Sequence, residues 1–285
     1  MANTLACSAF LLLAVPALAA GAPETDKARL LQDAAARVLP AGGHHSRVAL
    51  GDAVVKLVQA GVLDAQKFEA IYARRGGMPG ELKDVLTKPS YEPILLTRAN
   101  AGVYVNLLWP LGLANRLRAN DTSPLNGPSR FNFASTGGWN LGRLPSGGDY
   151  FNRFAIVELS PQQEALVVRL ARAIYRPCCD NSTFFQDCNH GSALLGLLAL
   201  GAAQGLGEDE LYREAVAFNA FWFPDNYVQT ALYFKAVKNL DWAQIDARVL
   251  TSAAFSSASG WRKNVANELA TRGLVPSQNG PGCSA

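Results

Sequence analysis

Cys178, Cys179 and Cys188 fall within eleven residues, and His190 stands two residues further on, in the run Arg176-Pro177-Cys178-Cys179-Asp180-Asn181-Ser182-Thr183-Phe184-Phe185-Gln186-Asp187-Cys188-Asn189-His190-Gly191. The whole chain holds five cysteines and three histidines, so the Cys-Cys-x8-Cys-x-His spacing concentrates metal-binding side chains in one place. Three sulfurs and one imidazole nitrogen suit zinc, or copper(I) by ligand softness. Cys283 lies in a Gly-containing tail that can fold back to replace one ligand, and Asp180 and Asp187 can orient the ligands by hydrogen bonds. The spacing is not that of a zinc finger, where a C-x-x-C turn aims two sulfurs at one ion.

Two other chemistries fit the same residues. In an oxidising compartment Cys178, Cys179, Cys188 and Cys283 can form two disulfides, one tying the tail to the loop and one within the loop. Adjacent Cys178 and Cys179 rarely pair, because the bridge between neighbours is strained. Alternatively Cys188 is a reactive thiol, a redox centre or nucleophile, with His190 acting from the turn beside it. A G-x-S-x-G elbow and a C-x-x-C pair are both missing from the sequence.

The elements around the cluster sharpen its chemistry. Ser160-Pro161-Gln162-Gln163 reads as a helix start, with Ser160 as cap, Pro161 at the first turn and Gln163 completing a capping box. Leu166, Val167, Leu170 and Ile174 give that helix its buried face, and Pro177 ends it. A second helix is predicted from about Gly191 to Gln204. Its small residues Ser192, Gly196, Ala199 and Ala203 form a stripe that lets another helix approach closely, which makes it central. Cys188 and His190 therefore sit at a helix N-terminus, where unpaired N–H groups and the dipole favour negative charge. Thiolate and neutral imidazole are favoured there, and these are the metal-binding forms.

Helical periodicity covers most of the remaining chain. Leu30, Leu31, Ala34 and Val38 form one stripe, stopped by Pro40. Val48, Ala53, Val54, Leu57 and Val58 form the next. Asp64 caps a helix that ends at Gly76-Gly77, and a short helix is predicted over 80–86. A long helix is predicted from Thr97, kinked at Pro110. Further helices are predicted at 208–222, 227–238, 241–249 and 260–272, with Gly273 as terminal cap. The only strand-like piece is near Phe154–Val157. Residues 119–150 are rich in Asn, Ser, Gly and Pro yet carry Phe131, Phe133, Trp139 and Tyr150. This long segment reads as a packed loop over one end of the bundle, or as a cover for a site. The fold class is mostly α: a single helical domain over 20–285, an irregular multi-helix bundle with N-terminal helices over 20–118, this loop, C-terminal helices over 151–273 and an irregular tail over 274–285.

Charged residues make up 17% and hydrophobic residues 49%, which excludes a disordered chain and a charge-rich coiled coil. The net charge is +3 and the basic residues are scattered, so no nucleic-acid partner is expected. Residues 1–23 carry no charge, and Leu11-Leu12-Leu13-Ala14-Val15, Pro16 and Ala17-Leu18-Ala19 read as a signal peptide cleaved near Ala19. The expected product is exported, periplasmic or secreted, and soluble, without a stable membrane span. Its partner is a metal ion or a small molecule.

Weaker signals have plain readings. His44-His45 after Gly42-Gly43 reads as an exposed turn. Asn120-Asp121-Thr122 and Asn181-Ser182-Thr183 match the glycosylation sequon. The aromatic run from Phe218 to Tyr227 reads as packing between two helices. It is also the pocket wall of the alternative function, a disulfide-stabilised extracytoplasmic ligand-binding protein.

Overall fold

The computed structural model describes residues 24–276 except Arg75. The predicted leader, the tail from 277 onward and Cys283 lie outside the described residues.

Helix α1 (Glu24–Val38) buries Ala34 and Val38 and packs along α8 (Pro224–Lys238). The next segment corrects the sequence reading. Residues His44–Gly51 form strand β1, and only Ala53–Gln59 form helix α2. Val48 therefore belongs to a strand, and the His44-His45 pair is not in a turn. The apolar residues around Val48 and Leu50 fit both periods over so short a stretch. What decides is pairing: β1 lies antiparallel to β2 (Ser90–Leu96), with His44 opposite Leu96 and irregular register beyond His45. Ser46, Val48 and Leu50 point inward in strand alternation. The sequence carries no clear strand signal for β2, because only Ile94 and Leu96 are buried and Pro93 interrupts the run.

Helix α3 (Ala65–Ala73) is capped by Asp64, whose side chain accepts from Lys67 N. Gly76 and Gly77 follow at φ +95° and +100°, conformations that glycine adopts without strain. The predicted 80–86 helix is a single 3₁₀ turn, Gly80–Leu82.

The centre of the molecule is the pair α4 (Ala101–Ala114) and α6 (Asn189–Ala203), nearly every residue of which is buried. The helix α4 runs through Pro110. Its Gly112 faces α6 so closely that a Cβ there would lie 1.8 Å from Ser192 O. A Cβ at Gly196 would lie 2.5 Å from Leu108 O. The small-residue stripe of α6 thus works as predicted: backbone meets backbone.

Helix α5 (Pro161–Ala173) has the full Ser160/Gln163 capping box. Helices α7 (Glu208–Trp222) and α8 are long. The two later predicted helices are shorter pieces: α9 (Ala247–Leu250), α10 (Ala253–Ser256), and α11 (Ala258–Trp261), which runs through a π turn into α12 (Asn267–Thr271). Gly273 closes it at φ +65°.

The 119–150 segment is anchored through Leu125, Trp139 and Tyr150, while its Phe131 and Leu144 stay exposed. It makes 3₁₀ turns at Arg118–Thr122, Pro124–Asn126, Pro128–Asn132 and Gly147–Asp149. Trp139 is fully buried, donates to Val62 O at 2.7 Å and meets Trp109 edge-on. Asn120 is fully buried, so the first sequon is closed to a glycan in this fold. Among the described residues no helix is long and apolar enough to cross a membrane.

Candidate metal centre

The cysteine loop joins the end of α5 to the start of α6, and its backbone is tied at many points. Tyr175 N donates to Thr251 O, while Tyr175 O accepts from Asn219 and Ser256 side chains. Thr183 donates twice to Ile174 O, and Phe184 N donates to Ala171 O. From the other side, Ala258 N donates to Cys179 O and Ser259 N to Asp180 Oδ1 at 2.7 Å. The long loop closes over the far end: Ser135 N donates to Asp187 O, Ser135 Oγ to Gln186 O, and Phe133 packs edge-on against Phe185. A loop fixed on three sides holds its side chains without the entropy cost of ordering them at binding.

Within this frame the sulfurs of Cys178, Cys179 and Cys188 lie within 4.8 Å of one another, half-buried. Cys178 Sγ is 3.3 Å from Cys188 Sγ, and Cys179 Sγ is 4.0 Å from it. All three are free thiols. A tetrahedral ion with sulfur ligands at about 2.3 Å holds those sulfurs about 3.8 Å apart. The observed separations bracket that value, so one ion fits with small side-chain adjustments.

Arg176 organises the site from below. Its side chain is fully buried. Nε donates to Cys188 Sγ at 3.1 Å, and the terminal nitrogens donate to Asn181 O, to Phe185 O at 3.2 Å and to Asp187 Oδ1 at 2.5 Å. Gly191 makes room for it, since a Cβ there would lie 2.7 Å from the guanidinium. Cys188 is the N-cap of α6, and its sulfur also accepts from Gly191 N at 3.3 Å.

These contacts divide the thiols. Hydrogen bonds from Cys178 and Cys179, joined by the Arg176 charge, outweigh burial and hold the Cys188 thiol well below its ordinary range. The hydrogen bonds of Cys178 to Cys179 and Cys188, with burial, push its thiol up. In Cys179 the bond from Cys178 pulls the other way, but its own bond to Cys188, burial and the Cys188 charge push it up to about 12. Burial acts against the charge on Arg176, yet the adjacent sulfurs keep it protonated. In the metal-free cluster negative charge is thus favoured on Cys188, beside the Arg176 guanidinium.

His190 stands where predicted along the chain, in the first turn of α6. Its ring packs against Phe223 at 4.5 Å and Trp222 at 5.7 Å between centroids, and it is not one of the three groups that converge. Burial lowers its pKa, which keeps the imidazole neutral. Asp187 pairs with Arg176 and accepts from the Asn181 amide at 2.8 Å. The second sequon's amide is thus engaged in the loop. Asp180 anchors the start of α11. Phe218, Phe221 and Tyr227 are buried in the core, as the packing reading of that run holds.

Arg176 was the residue that composition and spacing did not single out. A signal was present: it is the only Lys or Arg between Arg172 and Arg213. A lone cation directly before Pro177-Cys178-Cys179 marks a counter-ion better than a surface helix end.

The fold and site together define a mostly helical protein presenting a three-sulfur loop at the N-terminus of its central helix. No family model, no curated protein and no solved structure matches the chain.

Proposed function

We propose that this protein, exported after removal of residues 1–19, binds a soft or borderline metal ion, zinc or copper(I), through Cys178, Cys179 and Cys188. The observation that carries this reading is the convergence of three free sulfurs within 4.8 Å on a loop tied from three sides. Copper(I) accepts three thiolates alone, whereas zinc takes a fourth donor. His190 is that donor in our proposal, its ring leaving Phe223 to do so, with Cys283 the alternative. A fourth position filled by protein makes the site structural or storage-like, and one left to solvent makes it catalytic.

The test is the native mass of the protein purified without chelator or reductant, set beside its denatured mass. A metal-sized mass lost on denaturation, with thiols reduced, supports the reading and names the ion. His190→Ala is expected to weaken zinc by about tenfold or more. An unchanged zinc affinity would remove His190 from the ligand set. Absence of any adduct after exposure of reduced protein to zinc and to copper(I) would refute the metal reading.

One contact favours a second reading. Cys178 Sγ and Cys188 Sγ are 3.3 Å apart, a short move from a disulfide of about 2.05 Å. In an oxidising compartment that pair would close with the loss of two hydrogens. The same experiment separates the readings: a denatured mass about two daltons below the reduced value, with no adduct, means the bridge.

A further inference from the structure

A second polar feature lies outside the cysteine loop. An open cleft of about 500 Å³ is bordered by Arg116, Arg130 and Arg153, with Asp121, Asp149 and Asn126 among the other lining groups. It lies where the chain leaves α4 and is met by the 119–150 segment, and it shares no lining residue with the cysteine loop. Three guanidinium groups face two carboxylates there, so the rim carries a net positive charge.

The internal contacts leave part of this polar capacity unused. Arg116 is 3.7 Å from Asp121, Arg153 donates to Asp149 O at 2.6 Å, and Arg130 reaches Asn126 Oδ1 at 3.4 Å while lying over the Phe131 ring. The Nε of Arg130 is enclosed and has no hydrogen-bond partner. A buried guanidinium N–H without an acceptor is costly. The wall is also held in a definite shape. Asn152 sits at φ +59°, its Oδ1 accepts from Leu117 N at 2.8 Å, and its Nδ2 donates to Asp121 Oδ1 at 2.9 Å. A left-handed non-glycine residue persists only where its surroundings fix it.

We infer that this cleft is a binding site for a small anionic sugar, a hydroxylated carboxylate or phosphate ester. The arginines take the charged group, for which their forked geometry is suited. Asp121, Asp149 and Asn126 take the hydroxyls, as acceptors and as a mixed donor and acceptor. The volume matches a monosaccharide-to-disaccharide ligand at the lower end of small-molecule sites. A bare apolar ligand would offer these charged groups no partner and would shield them from water.

The test is calorimetric titration of the full chain at low ionic strength with D-glucuronate, D-glucose 6-phosphate, D-glucose and inorganic phosphate. Both charged sugars are expected to bind, or whichever of the two matches the site, with glucose and phosphate each about tenfold weaker or more. The preferred sugar tells carboxylate from phosphate ester. Arg153→Gln and Arg116→Gln, both exposed changes, are expected to weaken binding about tenfold with unchanged melting, while Arg213→Gln on α7 leaves it unaltered. The inference is overturned if neither charged sugar binds more tightly than about 10 mM. It is equally overturned if phosphate alone binds as well as glucose 6-phosphate, or if the arginine changes have no effect. Because the cysteines take no part, none of these outcomes bears on the metal reading.

Discussion

Replacing Arg176 by Met removes the one buried charge beneath the sulfur loop while keeping most of its volume. In the native protein the guanidinium serves four acceptors: Cys188 Sγ, Asn181 O, Phe185 O and Asp187 Oδ1. Truncating one partner of a buried pair costs about 3–5 kcal/mol, chiefly because the other charge is left uncompensated. Asp187 keeps 19% side-chain exposure and the Asn181 amide, which places the expected loss near the lower end, about 3 kcal/mol. For a chain of this size that corresponds to a fall in melting temperature of roughly 6–12 °C. The measurement is chemical and thermal unfolding in reductant and chelator, so that neither metal nor disulfide contributes. Zinc affinity is then measured at a temperature where the variant is folded, with an expected loss of about 10–100-fold. Arg176→Lys keeps the charge without the fork and should fall between the two proteins on both readouts. A loss below about 1 kcal/mol for Arg176→Met, with zinc affinity unchanged, would refute the assignment of Arg176 as the organiser of the site.

Other consequences of the structure are open to measurement. Because Cys188 is held below its ordinary range and Cys178 and Cys179 above it, loading all three sulfurs near pH 7 should release two protons per ion. Affinity should then rise about 100-fold per pH unit, and calorimetry in buffers of different ionisation heat would show an error in the assignment as a count of one or three. Gly112→Ala should destabilise by about 3 kcal/mol or more in denaturant titration, since its Cβ would meet Ser192 O at 1.8 Å and neither helix backbone can yield; a neutral change would show that α4 and α6 can separate. Glu214 on α7 is buried and accepts from Ser46 Oγ at 2.7 Å, Arg47 N at 2.9 Å and His44 Nε2 at 3.1 Å. Burial works against its charge, but these three partners hold its carboxyl below the ordinary value. A depressed carboxyl contributes stability above its unfolded value of about 4.3, lost as pH falls through the folded value. Glu214→Gln should therefore cost stability at pH 7 and progressively less in acid; a cost that does not change with pH would exclude the charge as its source.

Much of this protein is set by short-range sequence. Ser160, Pro161 and Gln163 start α5 with groups that satisfy its own first turn, and Gly273 closes α12 by its backbone freedom. The small stripe of α6 foretells the contact with α4, because a missing side chain has the same effect whichever helix arrives. Cys188 at a helix N-terminus follows in the same way from spacing and helix stops. These inferences hold because cause and effect lie within a few residues. The rest depends on partners far along the chain. β1 exists because Ser90–Leu96 pairs with it, and His44 is fixed by a carboxylate 170 positions away. Phe223 and Trp222 hold the His190 ring, which spacing alone places with the cysteines. Arg176 reads in sequence as a cation at a helix end; only burial among three sulfurs and Asp187 makes it a counter-ion, since the strength of a charge pair depends on the solvent that the surrounding fold excludes.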